Sequence, residues 1–369
     1  MEINYKINGN LNKIYIKQNI IPSIYKSIKN LDSDRKMLFV YDPKIDHSFI
    51  EEIKESLKIL GTKIYLMPLK GLKKEKNEKN LFKIIDFLIE KNFTKKSILI
   101  SCCGGVIGDL SGLAASLYLR GLIYFHIPST MTSVVDSCIG GKTAINYKNI
   151  TNSVGNYYHP QSIFISYEII NKMPEREYIS GIAEIIKCGL IKNNKILKTL
   201  QMQEKKIKNK DFKTVSSVIA LTLQTKIFFV KNDVHENNKR LSLNFGHTFA
   251  HSIEMATERT FKKEIFRHGE AVGIGILAEI YYAKKGISKI YKVVEKLLKT
   301  YNLPIKVQCP KNLLAKMQNE IYRNLFLDKK RIDSIPRYIM LKKIGSSSID
   351  DLKDDTLVNE TIYYHLVSV

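Results

Sequence analysis

No two cysteines in this chain have CxxC spacing, and the five present, Cys102, Cys103, Cys138, Cys188 and Cys309, are odd in number. That favours reduced thiols over a disulfide framework, and the sequons at Asn92 and Asn149 are then chance matches. The first 20 residues, MEINYKINGNLNKIYIKQNI, lack an apolar core of signal-peptide length, and no uncharged apolar run is long enough to span a bilayer. A cytoplasmic protein with no membrane partner is expected. Signatures of nucleic-acid-binding modules are also missing. The formal charge of +23 comes from lysines scattered among Asn and Ile along the whole length, not gathered in a block. Such scatter describes a solvated surface and not a nucleic-acid footprint, which clusters on one face or motif.

What is present fits a two-domain enzyme. The chain has 369 residues, and an apolar content of 44% supplies two cores. The first half alternates β-rich runs with amphipathic helices: MLFVY (37–41), a helix near 47–59, KIYLM (63–67), a helix near 79–91, SILIS (97–101), a helix from about 108, and LIYFHI (122–127). This is the βαβ rhythm of a Rossmann-like parallel sheet. From about residue 174 helices take over. The expected organisation is an α/β domain over 1–175 and an all-α, metal-binding domain over 176–369, with KKEKNEKN (73–80) read as a Lys-rich helix surface.

Two regions carry chemistry. In RLSLNFGHTFAHSIE, Arg240, Asn244, His247 and His251 recur at intervals of four, three and four, which predicts one shared helical face. Two His at i and i+4 aim imidazoles at a common point, as a metal requires, although the same pair also occurs as a structural or merely exposed feature. His268 and Glu270 then open a further helix. In the first half, SILIS runs into CCGGVIGD, where Gly104, Gly105 and Gly108 precede a helix. A strand, a glycine turn and a helix N-terminus offer amides and a positive dipole end to a phosphate, though a tight turn alone also favours glycine. Asp42, after MLFVY, is placed to accept from a ribose hydroxyl, or else is an ordinary turn residue before Pro43. The polar stretch 128–158, holding Asp136, Lys142 and Asn152, reads as a long functional loop.

The ordered series GGVIGDLSG, VDSCIGGKTAIN, NSVGNYYHP, GIAEIIK, NFGHTFAHSIE and HGEAVGIG resembles the 3-dehydroquinate synthases from about residue 37 to 345. The resemblance implies an NAD-binding domain, a helical metal domain and a site in the cleft between them. The implied reaction converts 3-deoxy-D-arabino-heptulosonate 7-phosphate to 3-dehydroquinate with loss of phosphate. By position it implies Glu184, His247 and His268 as ligands of one divalent metal, Zn²⁺ or Co²⁺, and so moves His251 from the metal to the substrate phosphate. It likewise implies active-site roles for Asp136, Lys142, Asn152, Lys187, Lys226, Glu236, Arg240 and Asn244, and NAD contacts from Asp42, Gly104, Gly105, Gly108, Asp109, Ser129, Thr130, Lys142 and Thr151. Arg120 resembles an arginine that reaches the neighbouring subunit's site, which implies a homodimer. Transient oxidation by NAD makes the proton beside the new ketone acidic enough for phosphate to leave, and the hydride is then returned. The product is thus that of a lyase and not of a dehydrogenase.

Departures from the family pattern fall on the NAD side: Cys103 begins the glycine run, Thr151 stands where a Lys is usual, Lys172 replaces a Thr, and the signature near 71 reads Gly71-Leu72-Lys73 with Glu75 where a Lys is common. Weakened or rearranged NAD binding is expected. Two other readings stay open: another sugar-phosphate cyclase or metal-dependent alcohol dehydrogenase of this architecture, and a basic binding protein that has lost catalysis.

Overall fold

The computed structural model describes residues 1–34, 36–148, 150–326 and 336–369, so the Asn149 sequon lies outside the described residues. The chain divides into two compact units, Met1–Pro174 and Glu175–Val369.

The first unit is built on a seven-stranded sheet. Its strands are β1 (Glu2–Ile7), β2 (Asn10–Lys17), β3 (Lys36–Tyr41), β4 (Lys63–Pro68), β5 (Ile98–Cys103), β6 (Ile123–Pro128) and β9 (Ser162–Ser166), in the order β1-β2-β9-β6-β5-β3-β4. Only the β1–β2 pair is antiparallel. The strands MLFV, ILISCC and SIFIS are buried residue after residue, because both faces of a parallel sheet are covered. Successive side chains part to opposite faces. Leu38, Val40 and Leu99 meet α3 (Glu78–Glu90) and α4 (Gly105–Leu117) through Ile84, Leu88, Ile107 and Leu110. Met37, Phe39, Ile98 and Ile100 meet α1 (Ile21–Lys29) and α2 (His47–Lys58) through Ile24, Ile28, Ile50 and Ile53.

From β3 the chain runs outward to β4 and then returns on the other side of β3 as β5. The carboxyl ends of β3 and β5 therefore form a topological switch point, where sheets of this kind bind ligands. Asp42 follows one of these strands and the glycine turn follows the other, and the Asp42 amide donates to the Cys102 carbonyl at 3.1 Å.

Residues 128–158 are not the long loop expected from their polarity. A π-helical turn, Ser133–Ser137, leads into an antiparallel hairpin of β7 (Lys142–Tyr147) and β8 (Ile150–Tyr157). In β7, Thr143 and Ile145 are buried while Lys142 and Tyr147 are exposed, but β8 is exposed almost throughout. A strand with no buried face leaves no period-two signal to read. The β1–β2 hairpin and β9 were likewise not anticipated, and α5 (Tyr167–Lys172) completes the unit.

The second unit is largely helical: α6 (Glu175–Ile191), α7 (Asn194–Met202), α8 (Glu204–Lys208), α9 (Phe212–Asn232), α10 (His247–Phe261), α11 (His268–Lys284), α12 (Lys289–Thr300), α13 (Leu314–Leu325) and α14 (Asp355–Tyr364). Two small two-stranded sheets accompany them, β10 (Val307–Cys309) with β13 (Leu366–Ser368) and β11 (Arg337–Lys343) with β12 (Ser346–Asp351). Helix α11 is buried from Gly269 to Tyr282 on every side, with Glu270 and Glu279 its only carboxylates, and forms the centre of the unit. Helix α9 is long and apolar enough to cross a membrane by length and composition, and 67% of its apolar window is buried inside the protein.

Candidate functional site

The four-three-four spacing of Arg240, Asn244, His247 and His251 does not lie on one helix. Lys239–Asn244 form a 3-10 turn, Phe245 is extended, and α10 begins at His247 after Gly246 at φ +83°. Gly246 is required there by conformation and by space, since a Cβ would lie 2.6 Å from the Ile276 side chain. The break places His247 at the first position of α10, as His268 stands at the first position of α11.

Helix α6 brings Glu184 to these two histidines. Its partner α11 approaches so closely that a Cβ on Gly269 would stand 1.8 Å from the Ser180 carbonyl oxygen, and the Gly269 amide donates to the Ser180 hydroxyl at 3.1 Å. Arg176, in the first turn of α6, donates from Nε and Nη2 to the two oxygens of Glu270, each at 2.7 Å, while Glu270 accepts from the Arg267 amide at 2.8 Å. Glu270 thus caps α11 and bolts it to α6. His268 inherits a fixed backbone.

The result is a three-donor pocket. Glu184 Oε1 lies 3.6 Å from His247 Nε2 and 3.4 Å from His268 Nε2, and the three ligand atoms all lie within 4.8 Å of one another. Bonds of ~2.1 Å at a tetrahedral angle separate donors by ~3.4 Å, so two nitrogens and a carboxylate oxygen fit a divalent metal with a position left for other ligands. Burial, then Lys187, pushes His247 down to about 3, which keeps its lone pair available. Burial also opposes charge on His268, yet hydrogen bonds to Glu184 and Glu254 hold it up at about 10. The second oxygen of Glu184 pairs with Lys187, and both side chains are buried.

His251 is exposed at the rim, its ring centroid 5.5 Å from that of His247 and 5.9 Å from that of His268. It therefore lies beside the metal pocket, outside the group of Glu184, His247 and His268. A second cluster gathers at the 3-10 turn. Asp233 accepts from the amides of Asn237, Asn238 and Arg240 at 2.7 to 3.0 Å, and Arg240 Nη1 donates to the Val234 carbonyl at 2.6 Å. Glu236, in a left-handed conformation, accepts from Asn244 Nδ2 at 3.1 Å. Lys226 and Arg240 are both buried, unusual for cations without a task.

In the first unit, α4 begins at Gly105, three residues earlier than expected, with Gly104 as its cap, so Gly108 and Asp109 lie within its first turns. The Ser129 amide donates to the Cys103 carbonyl at 2.9 Å and Thr130 Oγ1 accepts from the Ser133 amide at 3.2 Å, which sets both beside the turn. Beneath it lies a small cavity lined by Gly105, Gly108, Asp109, His126, Ser137 and Lys142. Asp136, half-buried, sits in the π-helical turn. Asp42 is a turn residue in that its Oδ1 accepts from the Lys44 amide at 3.0 Å, but its Oδ2 faces Gly71, where a Cβ would come within 2.6 Å. Lys172 is turned to Asp46 and Glu168, at 3.0 and 3.1 Å. Thr151 and Asn152 are exposed on β8. Arg120, also exposed, follows α4 in a left-handed conformation.

Lys76 was missed. It lies in KKEKNEKN, read from sequence as a helix surface, but residues 73–75 form a 3-10 turn and Lys76 is buried, paired with Asp109 and hydrogen-bonded to Asn152. Burial raises Asp109 above the usual carboxylate range, with Lys76 and Lys142 opposing. Composition hid it, since one buried lysine among exposed ones leaves no local signal. Glu254 was also missed, although it stands seven residues after His247, on the same helical face.

The pattern described as 3-dehydroquinate synthase N-terminal matches residues 66–180, and that described as 3-dehydroquinate synthase C-terminal matches residues 181–331. A 3-dehydroquinate synthase of Dictyoglomus thermophilum is 36% identical over 354 residues, 94% of this chain and 93% of its own length. One from Prochlorococcus marinus is 33% identical over 356 residues, 94% of this chain and 95% of its own. In fold, the chain is similar to a 2-deoxy-scyllo-inosose synthase solved with carbaglucose-6-phosphate, NAD⁺ and Co²⁺, at a TM-score of 0.85 and 20% identity, covering 99% of this chain and all of that one. With matched patterns across both units and relatives above 30% identity over nearly its whole length, the chain belongs to the 3-dehydroquinate synthase family.

Proposed function

We propose that this protein is a cytoplasmic, NAD- and metal-dependent lyase that converts 3-deoxy-D-arabino-heptulosonate 7-phosphate to 3-dehydroquinate and phosphate in the shikimate pathway of aromatic amino-acid biosynthesis. The observation that carries the reading is the convergence of Glu184, His247 and His268 beside the buried Lys187, in a chain of this family. We assign the first unit to NAD and the second to metal and substrate.

A divalent metal, Zn²⁺ or Co²⁺, held by Glu184, His247 and His268, supplies Lewis acidity toward substrate hydroxyls. NAD, held at the switch point by the turn of Gly104, Gly105 and Gly108 with Asp42, Asp109, Ser129, Thr130 and Thr151, supplies a reversible hydride acceptor. Lys187 pairs with Glu184 and orients it, and with Asp136 it is assigned to the substrate's C4 side. Lys142 and Asn152 in the first unit, and Asn244 and His251 in the second, are assigned to the phosphate. Lys226, Glu236 and Arg240 are assigned to the polar surroundings of the substrate, where cations suit its carboxylate. The departing phosphate is itself a competent base for the elimination proton, with His251 assisting.

We further assign Arg120 to the site of a second copy in a homodimer. Leu119, Arg120 and Gly121 are left-handed in succession, and Leu117 and Leu119 stand 50% and 43% exposed beside them. Strain of this kind, together with apolar exposure, favours a surface held by a partner.

Supplied with the heptulosonate phosphate and a trace of NAD, the enzyme should release one phosphate and one 3-dehydroquinate per substrate while NADH stays flat. Accumulation of NADH in step with substrate loss would mark a dehydrogenase and overturn the reading.

A further inference from the structure

We propose that Glu254 is the positioning residue of the metal site: it accepts the Nδ1 proton of His268 and so turns the Nε2 lone pair toward Glu184 and His247. This rests on the metal assignment above. His247, His251 and Glu254 are spaced four and three apart on α10, one face of one helix, and that face meets the first residue of α11. The two nitrogens of His268 are aimed at two different carboxylates, Nε2 at Glu184 Oε1 (3.4 Å) and Nδ1 at Glu254 Oε2 (3.5 Å).

Those two carboxylates have different company. Glu184 Oε1 also faces His247 Nε2 at 3.6 Å, completing the three-donor pocket, whereas Glu254 lies on the far side of the ring. With a metal at Nε2 the ring would be a neutral ligand carrying one N–H, and the acceptor opposite Nδ1 keeps that proton there. Glu254, with its side chain only 12% exposed, is desolvated enough for that decision to hold. The contacts at Gly269 and Glu270 fix the backbone of His268 but not its ring, of which a third is exposed. Glu254 supplies the restraint they leave out.

His251, Glu254 and His268 also form a group of donor atoms within 4.8 Å of one another. A cation there would need His268 Nδ1 as a ligand while Nε2 serves the first metal, which means removing the last ring proton. The acceptor role avoids that cost.

The test compares metal-free wild type with Glu254→Ala, Glu254→Gln and His247→Ala, reading Zn²⁺ affinity by chelator competition, metal stoichiometry, and the visible spectrum of the cobalt form. Wild type should take one metal. Glu254→Ala should bind it ~10- to 100-fold more weakly with an altered cobalt spectrum, and Glu254→Gln, whose amide oxygen still accepts the proton, should recover much of that loss. Affinity for Glu254→Ala within about twofold of wild type would overturn the inference while leaving the metal assignment intact. Two metals in wild type falling to one in Glu254→Ala would replace it with a second cation site. Wild type and His247→Ala binding metal equally would remove the metal assignment itself.

Discussion

Glu184 and Lys187, one turn apart on α6, form an ion pair with at most 1% of either side chain exposed. Such a pair is costly to bury and more costly to break, because the survivor is left charged in a low dielectric. Lys187→Met should therefore destabilise the metal-free protein by about 3 kcal/mol in urea unfolding, and added Zn²⁺ should restore part of the loss by supplying Glu184 with another cation. A change below about 1 kcal/mol would mean that the pair is already screened.

Glu279 lies on α11, fully buried, and accepts from the Ile339 amide at 3.2 Å. Burial raises it from 4.5 to about 8 against the hydrogen bonds from Gly246, Ile339 and Thr248. Because the folded pKa exceeds the unfolded one, the folded state binds the extra proton. The stabilisation is complete below about pH 4.5 and is lost as pH rises through about 8. Wild type should lose stability relative to Glu279→Gln across that window, read as urea midpoints at about pH 5 and about pH 9. A constant difference between the two proteins would show that Glu279 stays ionised.

Thr151 stands exposed on β8 at a position where the resemblance implies a lysine, and the neighbouring Asn152 is held by Lys76. Thr151→Lys should strengthen NAD binding by about 1 to 2 kcal/mol if one charge-assisted hydrogen bond is regained. Calorimetric titration of both proteins decides it. Equal affinities would assign the missing charge to a lysine already present, Lys76 or Lys148.

The parallel sheet was legible in sequence because its central strands are short continuous apolar runs that alternate with amphipathic helices. MLFVY runs into Asp42-Pro43 and SILIS into the glycine turn at 104–105, which marked where each strand ends. The hairpin of β7 and β8 was not, since β8 buries nothing. At the metal pocket, spacing alone paired His247 with His251, and only the family pattern replaced His251 with Glu184 and His268. Helical periodicity cannot see a left-handed Gly246 that restarts the helix at His247, nor two helices brought together by Gly269 and Arg176. Lys76 escaped for the opposite reason, its surroundings being uniformly polar.

Arg120 gives a test of assembly. If it serves the neighbouring subunit, inactive Arg120→Ala and inactive His247→Ala proteins should complement when mixed, because half the dimers are then hybrids and each hybrid has one intact site. Activity should return to about a quarter of wild type after exchange. No recovery between proteins shown to exchange would place Arg120 in its own chain's site, and a monomer in sedimentation would remove the assignment altogether.

Whether Glu184, His247 and His268 hold a metal on which phosphate release depends is decided by phosphate release from the heptulosonate phosphate before chelation, after it, and after Zn²⁺ is returned. Wild type should lose activity with chelator and regain it with metal, while His247→Ala, folded and supplied with the same metal, should stay inactive throughout. Undiminished release from chelated wild type, or from His247→Ala, would show that phosphate release needs no metal at these residues.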